Sequence, residues 1–172
     1  MSDYVIRPAA AEDAAAIDRL FVEMLQTIYE RTETPAETVG YMELKEEREG
    51  SRIYVAEAGG EVVAFASVEE HRDAAEPFLY LDDFSVTKRY RGRGIGRVLL
   101  QTVEQDAAEH GLGCVGLHVE AQNAGARRLY QNCGYEVISE RDGSDPDDSR
   151  LCLRKRLPAA ENARRRPDRQ RA

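Results

Sequence analysis

Apolar residues recur at helical spacing over residues 12–29, where Ile17, Leu20, Phe21, Met24, Leu25 and Ile28 share one stripe. The spacing predicts a first helix there. Pro35 suits the first turn of a second helix running to about residue 49. Residues 53–57 and 62–68 are β-rich and flank Gly59-Gly60, which predicts a hairpin. Residues 4–7 and 78–86 read as further strands, with 71–77 as a polar connection between strands. A helix follows over 95–110, with Val98, Leu99, Thr102 and Val103 inward and Gly111 as its stop. Residues 113–119 read as a strand and 124–132 as a short helix. Residues 135–140 and 151–157 make a last strand pair joined by a polar loop.

The resulting order is βααβββαβαββ. This is an α/β (mixed α+β) pattern, with a central mixed sheet and helices on both faces. The strands ending at Val86 and Val119 should run parallel, because a helix crosses between them. We expect a single domain over 1–157. Residues 158–172 are rich in Arg and Pro and are expected to be a disordered tail.

The turn before the third helix changes the picture from fold to chemistry. It reads Arg91-Gly92-Arg93-Gly94-Ile95-Gly96, with Lys88, Arg89 and Arg97 beside it. Glycines admit a ligand close to the backbone. The first amides of a helix lack intrahelical partners, and the helix dipole adds partial positive charge there. The turn is therefore a cradle for a phosphorylated ligand. A nucleotide P-loop is excluded, since Gly96 precedes Arg97-Val98 rather than Lys-Ser/Thr. A dinucleotide fingerprint is excluded because position 97 is Arg, not Gly.

The remaining pattern, Arg-x-x-Gly-x-Gly, resembles the pyrophosphate loop of the GCN5-related N-acetyltransferase family. The downstream residues extend the likeness: Asn123, then Tyr130 seven residues on, then Gly134-Tyr135. Upstream, Tyr80-Leu81-Asp82-Asp83-Phe84-Ser85-Val86 is most similar to the polyamine branch, whose strand carries an acidic pair before Phe. The opening Tyr4 to Ala9 also resembles the family's first strand, so the likeness spans about 4–157.

This resemblance implies an acyltransferase that moves acetyl from acetyl-coenzyme A to a primary amine, preferably a small cationic or polyamine-like acceptor. Other readings are a protein N-terminal or lysine acetyltransferase, or a module that binds the thioester without turnover. It implies that two central strands splay, and that Phe84, Ser85 and Val86 present a backbone edge to the cofactor. It assigns the phosphates to Arg91, Gly92, Arg93, Gly94, Ile95, Gly96 and Arg97. A helix terminus contributes at most ~2 kcal/mol, whereas micromolar affinity needs about 8 kcal/mol, so charged side chains and arm contacts must add to the loop. By the same resemblance Tyr130 is the general acid at the leaving sulfur. Asn123 bonds the cofactor or caps the helix after it. The Val86 amide is the oxyanion donor. For the base, Asp82, Asp83 and His118 all remain candidates. Alternation sends the two aspartates to opposite faces, with Asp82 on the side of Phe84 and Val86, unless a bulge intervenes. A neutral His with pKa near ~6.5 could take a proton through water. Acceptor contacts are expected from residues 29–35 and 145–148, and the family's frequent dimers make a homodimer possible.

The bulk properties narrow the class further. The formal net charge is -8, which disfavours nonspecific nucleic-acid binding. The three Arg at 164–166 are expected to be part of a solvated tail. Cys114, Cys133 and Cys152 lack metal-ligand spacing and suit a reducing cytosol. No metal is expected. No apolar run approaches the ~18 residues of a membrane span, and no signal pattern opens the chain, so a cytoplasmic protein is expected.

Overall fold

A computed structural model describes residues 3–29, 40–140 and 150–158. Strands β1 (Tyr4–Pro8), β2 (Ser51–Ala58), β3 (Glu61–His71), β4 (Phe78–Val86), β5 (Cys114–Glu120), β6 (Glu136–Glu140) and β7 (Arg150–Arg156) form one sheet in the order β1-β2-β3-β4-β5-β7-β6. Helices α1 (Ala14–Tyr29), α2 (Tyr41–Glu46), α3 (Ile95–Glu109) and α4 (Ala124–Asn132) complete the expected βααβββαβαββ order. The sheet is mixed: β4 and β5 are parallel, and the other neighbours are antiparallel.

Each face buries one apolar cluster. Leu99, Leu100 and Val103 of α3 lie fully buried against Val68, Leu79, Leu81, Val115 and Leu117. Ile17 and Leu20 of α1 and Tyr41 and Met42 of α2 bury against Val55 and Phe65 on the opposite face. Each such side chain contributes ~1.5–3 kcal/mol on burial. The stripe predicted for the first helix therefore does the packing expected of it.

Two sequence expectations are corrected. Among the described residues the second helix is Tyr41–Glu46, ending three residues before the expected residue 49. It ends in turn bonds from Arg48 N–H to Lys45 C=O and from Ser51 N–H to Arg48 C=O, which lead into β2. Residues 30–39 lie outside the described residues, as do 141–149 and 159–172, so both expected acceptor segments beyond Tyr29 and the tail beyond Pro158 fall there. Strand β3 also runs on to His71, three residues past the expected end, because it pairs with β4 as far as His71 opposite Phe78.

One irregularity positions the site. Ser67 pairs with Asp83 while Val68 pairs with Leu81, so Asp82 is an extra residue in β4. This bulge breaks the side-chain alternation. Leu79 and Leu81 face α3. Strict alternation would put Asp83 with them and Phe84 opposite. Instead Asp83 turns to Tyr41 of α2, and Phe84 packs with the α3 cluster. The expected split of Asp82 and Asp83 onto opposite faces is thus overturned: Lys45 of α2 meets both.

Candidate active site

Strands β4 and β5 pair only at Leu79–Val115, Tyr80–Gly116 and Leu81–Leu117. Beyond Leu81 and Leu117 they part, as the resemblance implied. The fork leaves one edge of β4 open. The Thr87 amide bonds to Val63 C=O at 2.9 Å, toward β3. Alternating strand amides then turn the Phe84 and Val86 N–H groups toward the open side.

The fork opens into a cleft of about 500 Å³. Phe84 to Val86 form one wall, the 91–97 turn the floor, and Asn123, Ala126 and Leu129 the far wall. Met24, Thr27 and Ile28 of α1 also line it. Helical periodicity put Met24 and Ile28 on one apolar stripe, and nothing in their spacing separates lining the cleft from filling the core.

The floor is built from backbone. Val98 N–H makes the first helical bond, to Gly94 C=O at 3.2 Å. The Ile95, Gly96 and Arg97 amides precede it, and no side chain caps this helix start. Gly94 sits at φ 83°, a left-handed conformation that side-chain-bearing residues adopt only at a cost. A Cβ on Gly92 or Gly94 would meet no protein atom within 4 Å. That open space above bare amides fits a diphosphate. Gly96 differs: its Cβ would stand 3.2 Å from Leu129 Cδ2, so its glycine serves helix packing.

The side chains of this turn divide the labour. Arg91 Nε donates to Val86 C=O at 2.7 Å, tying the turn to β4. Arg93 lies over the Tyr90 ring at 4.8 Å. Arg97 is exposed and lines the cleft. Ile95 and Ser85 bury their side chains, so only their backbone can reach a ligand.

On the far wall, Asn123 Oδ1 accepts from Ala126 N–H at 3.2 Å and caps α4. Two turns on, Tyr130 is buried between Phe84 and Tyr135, with ring centroids at 6.1 and 5.9 Å. Burial, and after it the charge of Asp83, hold the Tyr130 hydroxyl well above the ordinary tyrosine range. It stays protonated at any physiological pH.

The other side of the fork is a network of side chains. Lys45 pairs with Asp82 and lies 3.7 Å from Asp83. Tyr41 donates to Asp83, and its hydroxyl lies 2.8 Å from Ser67 Oγ. The Asp83 amide donates to the same Oγ at 3.3 Å. Asp18 of α1 accepts from the Gly40 and Tyr41 amides at 3.2 Å each, which hangs α2 from α1. Burial lowers the Lys45 ammonium below the ordinary lysine value, and the Asp83 charge pulls against it. On the β5 arm, His118 Nδ1 lies 3.0 Å from the Tyr80 hydroxyl. Glu120, two residues on and facing the same way, accepts from the Tyr29 hydroxyl at 3.3 Å. Sequence reasoning did not single out Lys45, Tyr41, Ser67, Tyr80 or Glu120. Lys45 and Tyr41 come from an acidic helix with no motif around them.

A splayed parallel strand pair, an open amide edge and an uncapped glycine-rich helix start define a thioester-binding acyltransferase site. The chain belongs to the acetyltransferase (GNAT) family, whose model matches residues 21–135. It is 30% identical over 133 residues to the uncharacterized N-acetyltransferase YhfO of Bacillus subtilis, covering 76% of this chain and 89% of that one. It is 37% identical over 86 residues to streptothricin acetyltransferase of Streptomyces lavendulae, covering 49% of this chain and 44% of the relative. In fold it is similar to the Salmonella typhimurium putative acetyltransferase yncA solved with acetyl-CoA, at TM-score 0.70 and 23% identity, covering 94% and 99%. The protein is therefore an acetyl-CoA-dependent N-acetyltransferase. Among the described residues no group of three or more His, Cys, Asp or Glu could hold a metal ion, and no helix is long and apolar enough to cross a membrane.

Proposed function

We propose that this enzyme acetylates the primary amine of a small cationic acceptor, which attacks the thioester directly at the β4–β5 fork. One observation carries the reading. All three base candidates lie within two residues of the fork: Asp82 and Asp83 just past Leu81, His118 just past Leu117. Bound acetyl-CoA supplies the activated acyl group. Arg97 and the amides of 95–97 hold its diphosphate, with Gly92 and Gly94 leaving room for it. The Val86 N–H faces the open edge and donates to the developing oxyanion. Tyr130 donates a hydrogen bond to the leaving sulfur. Its hydroxyl is a weaker acid than a free thiol, of pKa ~8.5, so its role is stabilisation more than complete proton transfer.

Geometry favours His118 over the aspartates as proton acceptor. Asp82 is committed to Lys45, and Asp83 to Tyr41. The His118 imidazole, with Nδ1 3.0 Å from the Tyr80 hydroxyl, would accept the amine proton directly or through water. Glu120 on the same face supports a cationic acceptor, and the likeness to streptothricin acetyltransferase supports a small one. A polyamine remains within this class. Thiol release measured across a panel of amines tests the reading. Turnover with small cationic amines is expected. Acetyl-CoA binding without thiol release for any amine would replace it with a non-catalytic binding module.

A further inference from the structure

Two carboxylates at the fork suggest a strong attraction for polycations, but Lys45 changes the charge count. Lys45 is buried, at 9% exposure, and its ammonium pairs with Asp82 while standing 3.7 Å from Asp83. The carboxylates remain partly open, with 26% and 20% of their side-chain surfaces exposed. Two negative charges and one fixed positive charge leave a net charge of -1 at this corner. The nearby Arg48 pairs with Glu69 at 3.3 Å and adds no net charge. Tyr41 and Ser67, the other partners of Asp83, are neutral. Glu120 lies on the β5 arm.

We infer that Lys45 is a specificity-determining residue, an internal cation that occupies the acidic pair and sets the site to favour acceptors carrying one positive charge over those carrying several. An amine with a second ammonium would find one net negative charge at this corner in place of two. At the reduced dielectric of such a corner, one fixed charge a few ångströms away weighs heavily on a mobile one. This inference rests on the amine-acetyltransferase reading above.

The test is a selectivity ratio, kcat/KM for a diamine over kcat/KM for a monoamine of equal chain length. Lys45→Met leaves two uncompensated carboxylates and should raise the ratio about ten-fold. Asp82→Asn in that background restores a single negative charge and should return the ratio to the wild-type value. Lys45→Arg, which keeps the charge, should also hold the wild-type ratio. A purely structural role would lower both amines together and leave the ratio flat in all variants, which overturns the inference. A ratio that rises in Lys45→Met but does not return on adding Asp82→Asn overturns it as well, because the effect would not follow charge. Should the Met variant fold poorly, Asp82→Asn alone gives the opposite sign, a ratio below wild type, and an unchanged ratio there again overturns the proposal. If the wild-type enzyme acetylates neither amine, the broader functional reading fails instead.

Discussion

The two sides of the fork are made in different ways. The cofactor side is written in backbone. Its amides come from consecutive residues, its open space from Gly92 and Gly94, and its shape from one strand–turn–helix. The proposed acceptor side is written in side chains that meet across the chain. Lys45 reaches Asp82 and Asp83, Tyr41 reaches Ser67, Asp18 reaches Gly40, and Tyr80 reaches His118. A backbone site tolerates little change in local conformation. A side-chain site can be retuned one residue at a time without disturbing the strand that carries it. Cofactor recognition should therefore respond steeply to single substitutions, and acceptor recognition gradually.

Gly94→Val strikes the backbone side hardest. It forces a β-branched residue into φ 83° and fills the space above the helix start. Acetyl-CoA affinity measured by calorimetry should fall about 1000-fold, or about 4 kcal/mol; retained affinity would remove the cradle assignment. Tyr130→Phe should lower kcat about 100-fold, in keeping with loss of a hydrogen bond to a charged group, with KM for acetyl-CoA nearly unchanged. Equal losses in kcat and in cofactor affinity would show a binding role instead.

On the side-chain side the effects shrink. A base works only when deprotonated, so activity should be lost as the medium is acidified. His118→Gln should remove that acid limb and cost about ten-fold at neutral pH. An unaltered pH–rate profile would return the role to an aspartate. A last effect, on stability and not on activity, lies away from the fork. Asp13 accepts from Arg7 at 2.7 and 3.0 Å and from the Ala10 amide at 2.8 Å, and the Arg7 hydrogen bonds depress its pKa. A depressed carboxylate adds stability above its unfolded value, ~3.9, and loses it as pH falls through the folded one. Asp13→Asn should cost about 2 kcal/mol of stability near neutral pH and flatten the loss of stability at acid pH, leaving selectivity between amines untouched.

The same contrast explains what could be read from the chain. The order of elements, the hairpin at Gly59-Gly60 and the helix start at Gly94 depend on neighbours within a few residues, and each was legible. Asn123 as the α4 cap was legible for the same reason. The end of α2 was not: it is set by the turn through Arg48 and Ser51, not by its apolar pattern. The shared face of Asp82 and Asp83 was not legible either. Alternation along β4 argues against it, and the bulge that produces it is held by Lys45, 37 residues upstream. The partners of His118 and Glu120 likewise come from other strands and helices.

The regular ladder beyond the bulge in β4 also has an evolutionary reading. Shortening the chain by one codon at Ser85 would turn Val86 over and rotate its amide away from the open edge. The same loss between Arg72 and Pro77 would merely tighten a surface connection. Length variation among descendants of this gene should therefore collect in that connection and stop short at the strand, as though a reading frame for side chains were being protected there.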